Sequence, residues 1–204
     1  MGYVMRNIAA VLFFVSVCFA VERQPQPTNR EIFFRLCDSA VTEIASNGLM
    51  QFQSVALQTG RDVISSFFHQ RFIQGLVLKN IPVFVKTDST MTTLELTVRE
   101  SSVFYGEVFN ESFFGERRTE RKIKLSILAT LISNNDGKVI TVIQVSRMFV
   151  DTVAYSTIDQ LNDSAPPMSG YVKPELSFFD SIIEPAIVTV ASGVAIYLFF
   201  TIRS

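Results

Sequence analysis

His69 is the chain's only histidine, so imidazole-based proton transfer has a single place to happen. Ser65 precedes it by four residues, and on a helix that spacing brings two side chains into reach. A serine beside a histidine could be activated for nucleophilic attack, given a third group to orient the base. The pattern supplies no such group, and the plainer expectation is a polar pair facing solvent. Cys18 and Cys37 are the two cysteines. Cys37 falls among the apolar positions of a helical pattern, where a thiol packs as a small inert hydrophobe. Glu95, Glu100 and Glu107 lie in strand-like alternation, which puts acids on a solvated face rather than in a catalytic pair. The sequence carries no G-x-G-x-x-G, Walker loop, H-E-x-x-H or G-x-S-x-G. Two cysteines and one histidine make no zinc set. No catalytic residue, metal or cofactor is therefore expected. A small envelope hydrolase or thiol enzyme using Ser65/His69 or Cys37 stands as the alternative.

The feature that reads as a surface lies further on. Arg117, Arg118, Arg121, Lys122 and Lys124 crowd into eight residues, relieved by Glu116 and Glu120. They follow Phe113 and Phe114. Rings and arginines together are the anchors that interfaces favour, so Phe113, Phe114, Arg117, Arg118 and Arg121 form the candidate interaction surface. The competing expectation is a polar strand edge whose cations pair across strands with Glu95, Glu100 and Glu107. A formal net charge of −1 gives nucleic acid no electrostatic handle. The partners expected are another envelope or membrane protein and the bilayer itself. A homo-oligomer is compatible with everything above.

These residues need a scaffold, and 204 residues provide one domain plus targeting segments. Apolar types make 48% of the chain and charged types 18%, with much of the apolar excess at the two ends. Arg6 and then Ile8 to Ala20 have the form of a signal peptide, ending at residue 20 after Cys18-Phe19-Ala20. Residues 21–29, with Gln24-Pro25-Gln26-Pro27, read as a linker. Residues 182–202 read as a transmembrane helix, since 18 consecutive residues from Pro185 to Ile202 carry no charge. Arg203-Ser204 would be a cytoplasmic tail by the positive-inside tendency.

Between the ends lies an α+β domain over 30–150. Ile32, Leu36, Ala40 and Ile44, beside Phe33, Cys37 and Val41, give one wide helical face that stops at Asn47-Gly48. Leu49 to Leu57 reads as a strand, and Arg61 to Leu78 as a second helix with Ile64, Phe67, Phe68, Phe72 and Leu76 inward. Strands follow at 81–86, at 94–98 and 103–109 with a break at Glu100-Ser101-Ser102, at 123–131, and at 139–150. Asn134-Asn135-Asp136-Gly137 turns the last two into a hairpin. The order is α-β-α-β-β-β-β, with two helices packed on one face of a mainly antiparallel sheet. Leu125 and Ile127 should face the helices, Lys124 and Ser126 the solvent. Residues 151–181, with Asn162-Asp163-Ser164-Ala165-Pro166-Pro167, read as a linker to the membrane. Asn110-Glu111-Ser112 and Asn162-Asp163-Ser164 are glycosylation sequons, meaningful only in a eukaryotic host.

That order, with Phe113-Phe114-Gly115-Glu116-Arg117 running into Arg121 and the turn Asn134 to Lys138, resembles small bacterial envelope domains. The group is the one that includes curli-transport, FlgO-like flagellar and lipoprotein-activator proteins. The resemblance covers 30–150 in outline and implies an assembly or adaptor role with no catalytic residues. The chain departs from the group in two ways: Val17 before Cys18 makes a poor lipobox, and a terminal span is added. The expectation is a non-enzymatic, membrane-tethered accessory protein, single-pass in the inner membrane with its domain periplasmic. A receptor-like extracellular domain is the remaining alternative, and the two-residue tail argues against signalling through it.

Overall fold

A computed structural model of the chain describes residues 26–49, 54–84, 92–110, 115–163, 165–175 and 178–202. The expected signal peptide, Phe113 and Phe114, and the tail at 203–204 lie outside those residues. Helix α1 spans Asn29–Ile44 and opens on a capping box. The Thr28 hydroxyl accepts from the Glu31 N–H, while the Thr28 N–H donates to the Glu31 carboxylate at 3.0 Å. Thr28 and Asn29 thus belong to the helix entry rather than to a linker. The helix ends earlier than the Asn47-Gly48 signal and relaxes through a π turn, Ala45–Leu49. There Gly48 lies so close to Ile143 that an added Cβ would come within 2.5 Å of its Cδ1.

Strand β1 (Val55–Thr59) is shorter and later than the alternation suggested, with Leu49 taken up by the π turn. Helix α2 (Val63–Leu78) is capped by Asp62, whose carboxylate accepts from the Ser65 N–H at 2.7 Å. Strand β2 is only Val83–Phe84. A long meander follows: β3 (Thr92–Asn110), β4 (Arg117–Ser133) and β5 (Val139–Ala154). The expected break at Glu100 is a register shift between Val98 and Glu100 inside one continuous strand, with a second shift between Tyr105 and Val108. The β4–β5 turn closes as expected. The Gly137 N–H donates to the Ser133 carbonyl at 2.9 Å from a positive φ of 69°, which glycine tolerates.

The sheet order is β2-β1-β3-β4-β5; its long meander is antiparallel, as expected, and short parallel pairings make the sheet mixed. Only β3–β4 and β4–β5 are antiparallel. β1 runs parallel to both β2 and β3, because α2 carries the chain back across one face between them. The assigned linker 151–181 also needs correction. β5 continues to Ala154, a 3-10 turn (Tyr155–Thr157) and short α3 (Ile158–Asn162) follow, and β6 (Gly170–Val172) pairs parallel with β3 at Ser102 to Phe104. Val153, Ile158 and Leu161 join the same core as the helices, so residues 151–172 complete the domain.

α1 and α2 cover one face of the sheet, and their Phe33, Phe68, Phe72 and Leu76 pack with Leu94, Leu96, Ile123, Leu125 and Ile127. Leu125 and Ile127 are fully buried, as alternation requires. Ser126 is buried too, at 4% exposure, against the expectation for it. It lies on the opposite face, where the Ser146 hydroxyl donates to it at 2.9 Å and the Gln144 amide reaches it. Helix α4 runs over Phe178–Ile202. Most of its described apolar side chains are exposed, among them Val188, Val190, Tyr197 and Phe200.

Candidate functional site

The residues that could have formed a nucleophile and base are each engaged with another partner. The Ser65 hydroxyl is fully buried, accepts from the Val98 N–H at 2.9 Å and hydrogen bonds the Asp62 carboxylate. Its lone pair and its proton are thereby engaged in tying α2 to β3. His69 turns to the Thr59 hydroxyl instead, Nδ1 to Oγ1 at 3.3 Å. Cys37 is a free, fully buried thiol, and burial together with neighbouring Asp38 pushes its pKa well above the ordinary thiol value. A thiol so held is protonated at neutral pH and is a poor nucleophile. Among the described residues no group of His, Cys, Asp or Glu side chains gathers to hold a metal.

The cationic stretch divides by strand parity. Lys122 and Lys124 point to the outer face, where Lys124 pairs with Glu100 and Lys122 with Glu120, both at 2.7 Å. The Lys124 ammonium holds the Glu100 carboxyl below its ordinary range against the pull of partial burial. The Lys124–Glu100 pair is of the cross-strand kind that the polar-edge expectation describes, whereas Lys122–Glu120 lies within β4. Arg117 and Arg118 begin β4 and are half-buried, opposite Asn110 and Phe109.

Arg121 is a correction. It is fully buried rather than a surface residue, because it shares the parity of Ile123 and Leu125 and so points inward. Its guanidinium forks onto Asp151 on β5, Nε to Oδ1 at 2.9 Å and Nη2 to Oδ2 at 2.6 Å. Nη1 donates to the Pro27 carbonyl at 3.0 Å and to Asn29 Oδ1 at 2.8 Å. The Asn29 amide in turn donates to the Tyr105 hydroxyl at 3.1 Å and to Asn162 Oδ1, and Asn162 donates to the Tyr171 hydroxyl at 2.8 Å. Burial raises the Tyr105 pKa, against the opposing effects of Asn29 and Arg121, so the phenol stays protonated across the ordinary pH range. One guanidinium thus fastens the entry to α1, the middle of the meander, α3 and β6 at one end of the core. The side chain of the sequon residue Asn162 is thus hydrogen-bonded within the fold. The first tripeptide, at Asn110, continues into residues outside those described.

Beside this network the chain leaves the sheet. Pro174 and Glu175 line a cleft with Phe104, Tyr105, Gly106, Glu107 and Val108, close to the β3–β4 loop and to Arg117 and Arg118. α4 begins three residues after Glu175.

No protein-family model matches the chain, and no curated protein matches it. The chain is similar to solved structures of bacterial lipoproteins. One is a minor lipoprotein from Acinetobacter baumannii, at 12% identity over 54% of this chain and 78% of that one, with a TM-score of 0.35. Another is a lipoprotein from Neisseria meningitidis, at 11% identity over 70% of this chain and 99% of that one, with a TM-score of 0.33. A third is the rare lipoprotein B from Shewanella oneidensis, at 13% identity over 48% and 69%, with a TM-score of 0.25.

Proposed function

We propose that this chain is a non-enzymatic accessory protein of a bacterial envelope, held at the inner membrane by α4, whose domain binds or helps assemble another envelope protein. The observation that carries the reading is where the chain leaves the sheet. Val172 ends β6 and Phe178 begins α4, so the intervening residues 173–177 span at most about 18 Å even when fully extended. Any tether through α4 therefore keeps the domain at the bilayer, with the end bearing the β3–β4 loop toward it. Among the described residues no helix is long and apolar enough to cross a membrane. The full sequence supports the tether more strongly, with 18 uncharged residues from Pro185 to Ile202. An apolar helix with its side chains outward has a bilayer as its natural solvent.

The proposed interface is the β3–β4 loop with Phe113 and Phe114, together with Arg117 and Arg118. Arg121 serves the core instead. The experiment places a photo-crosslinking residue at position 117 or 118 of the full chain in living cells. One discrete protein adduct, lost when residues 178–204 are removed, is the expected result. Absence of any protein adduct at both positions, or an adduct indifferent to the removal, overturns the reading.

A further inference from the structure

We propose that the free edge of β5 pairs with the same edge of a second copy of this chain, in antiparallel register about Val145. Among the described residues β5 pairs only with β4, leaving a 16-residue strand at the edge of the sheet. The opposite edge, β2, is two residues long and follows Pro82. Long edges are normally blunted by proline, lysine or inward charges that a docking strand would strand without partners. β5 has no proline and no lysine. Its two charges point inward and are already engaged, Arg147 with Glu43 and Ser39 on α1, and Asp151 with Arg121. Adding a strand therefore leaves neither charge without its counterion.

The occupant follows from the strand's own symmetry. Two copies related by a twofold axis must meet antiparallel, and residues that share a face must stand opposite one another. Centring on Arg147 would set that arginine against its own copy. Centring on Val145 sets Val142 against Met148 and Gln144 against Ser146, with Arg147 opposite Ile143. Val142 and Met148 are 56% and 63% exposed, so the pairing sets exposed apolar side chains beside one another. The regular part of this register runs from Thr141 to Phe149, because the pairing of β5 with β4 shifts at Ile140, between Val139 and Thr141. The Thr152 carbonyl beyond it is taken by the Gln26 side chain at 3.2 Å. Nine residues at ~3.4 Å each make an edge about 31 Å long.

The test uses the full chain in detergent, with mass from light scattering. The native protein should have the protein mass of a dimer. Val142→Lys with Met148→Lys sets lysine against lysine twice across the axis and should give a monomer. Val142→Glu with Met148→Lys sets opposite charges at the same two places and should restore the dimer. Both positions are exposed, and a cooperative melting transition in each variant checks that the fold persists. A native monomer overturns the proposal, whether the edge is then empty or taken by a strand of another protein. A lysine pair that still dimerises, or a charge swap that does not restore the dimer, overturns it as well.

Discussion

At the residue scale the chain turns on Arg121, the one fully buried charged side chain among the described residues. A buried ion pair adds little net stability, but removing one partner leaves an uncompensated charge. Asp151→Ala should therefore cost about 3–5 kcal/mol in chemical denaturation. Arg121→Met combined with Asp151→Leu should cost less than Asp151→Ala alone, because no charge is then stranded. A double variant weaker than that single one would show that the pair is worth more than its desolvation. Asp62 predicts a pH effect. Burial pulls its carboxyl up, but the Ser65 hydroxyl and the N–H groups of Ser65 and Ile64 outweigh that and hold it below its ordinary range. A lowered folded pKa means that the cap's stabilisation is present above the ordinary aspartate value of ~3.9 and is lost as pH falls through the lower folded value. Asp62→Asn should remove that acid-side dependence from the melting curve while keeping most of the cap. Both sites were partly legible in the sequence. Arg121 is in phase with Ile123 to Leu131, so extending the alternation two residues back places it inside, whereas reading charge type alone places it outside. The capping box Thr28-x-x-Glu31 is equally plain in the letters. The engagement of Ser65 by Val98 is not, since it depends on which strand α2 lies against.

At the element scale, patterns that repeat within one element were readable and pairings between distant elements were not. α1 and α2 follow from i, i+4 apolar rows, and the β4–β5 hairpin follows from clean alternation plus Asn134 to Gly137. The parallel placement of β1 beside β3 depends on the crossover through α2. β6 has three residues and no period of its own, so its return to Ser102 through Phe104 left no trace in a linker-like composition. The mixed sheet was thus beyond reach, while the α+β class was not. The meander's two faces give a prediction. Leu125→Ala should cost about 2–5 kcal/mol, because the helices cannot collapse fully into the space. Ser126→Ala should cost ~1 kcal/mol, the worth of its bonds from Ser146 and Gln144 rather than of a packed side chain. Equal losses in the two variants, read from urea midpoints, would place β4 in the wrong register.

At the scale of the whole molecule, a domain with a continuous core is joined by five residues to a helix most of whose described apolar side chains are exposed. The domain includes β6, so its natural limit is near Glu175 rather than residue 150, and truncation at 150 would remove Val153, Ile158 and Leu161 from the core. A chain ending at Ala154 should accordingly melt at a lower temperature than one ending at Glu175. The central claim is that α4 holds this domain in the membrane. The most direct measurement is alkaline carbonate extraction of cell membranes from hosts expressing the full chain or the chain ending at Glu175. The full chain should stay in the pellet, and the shortened chain should be found in the soluble fraction, folded and melting cooperatively. A full chain released by carbonate, or a shortened chain that remains with the membrane, would contradict the claim.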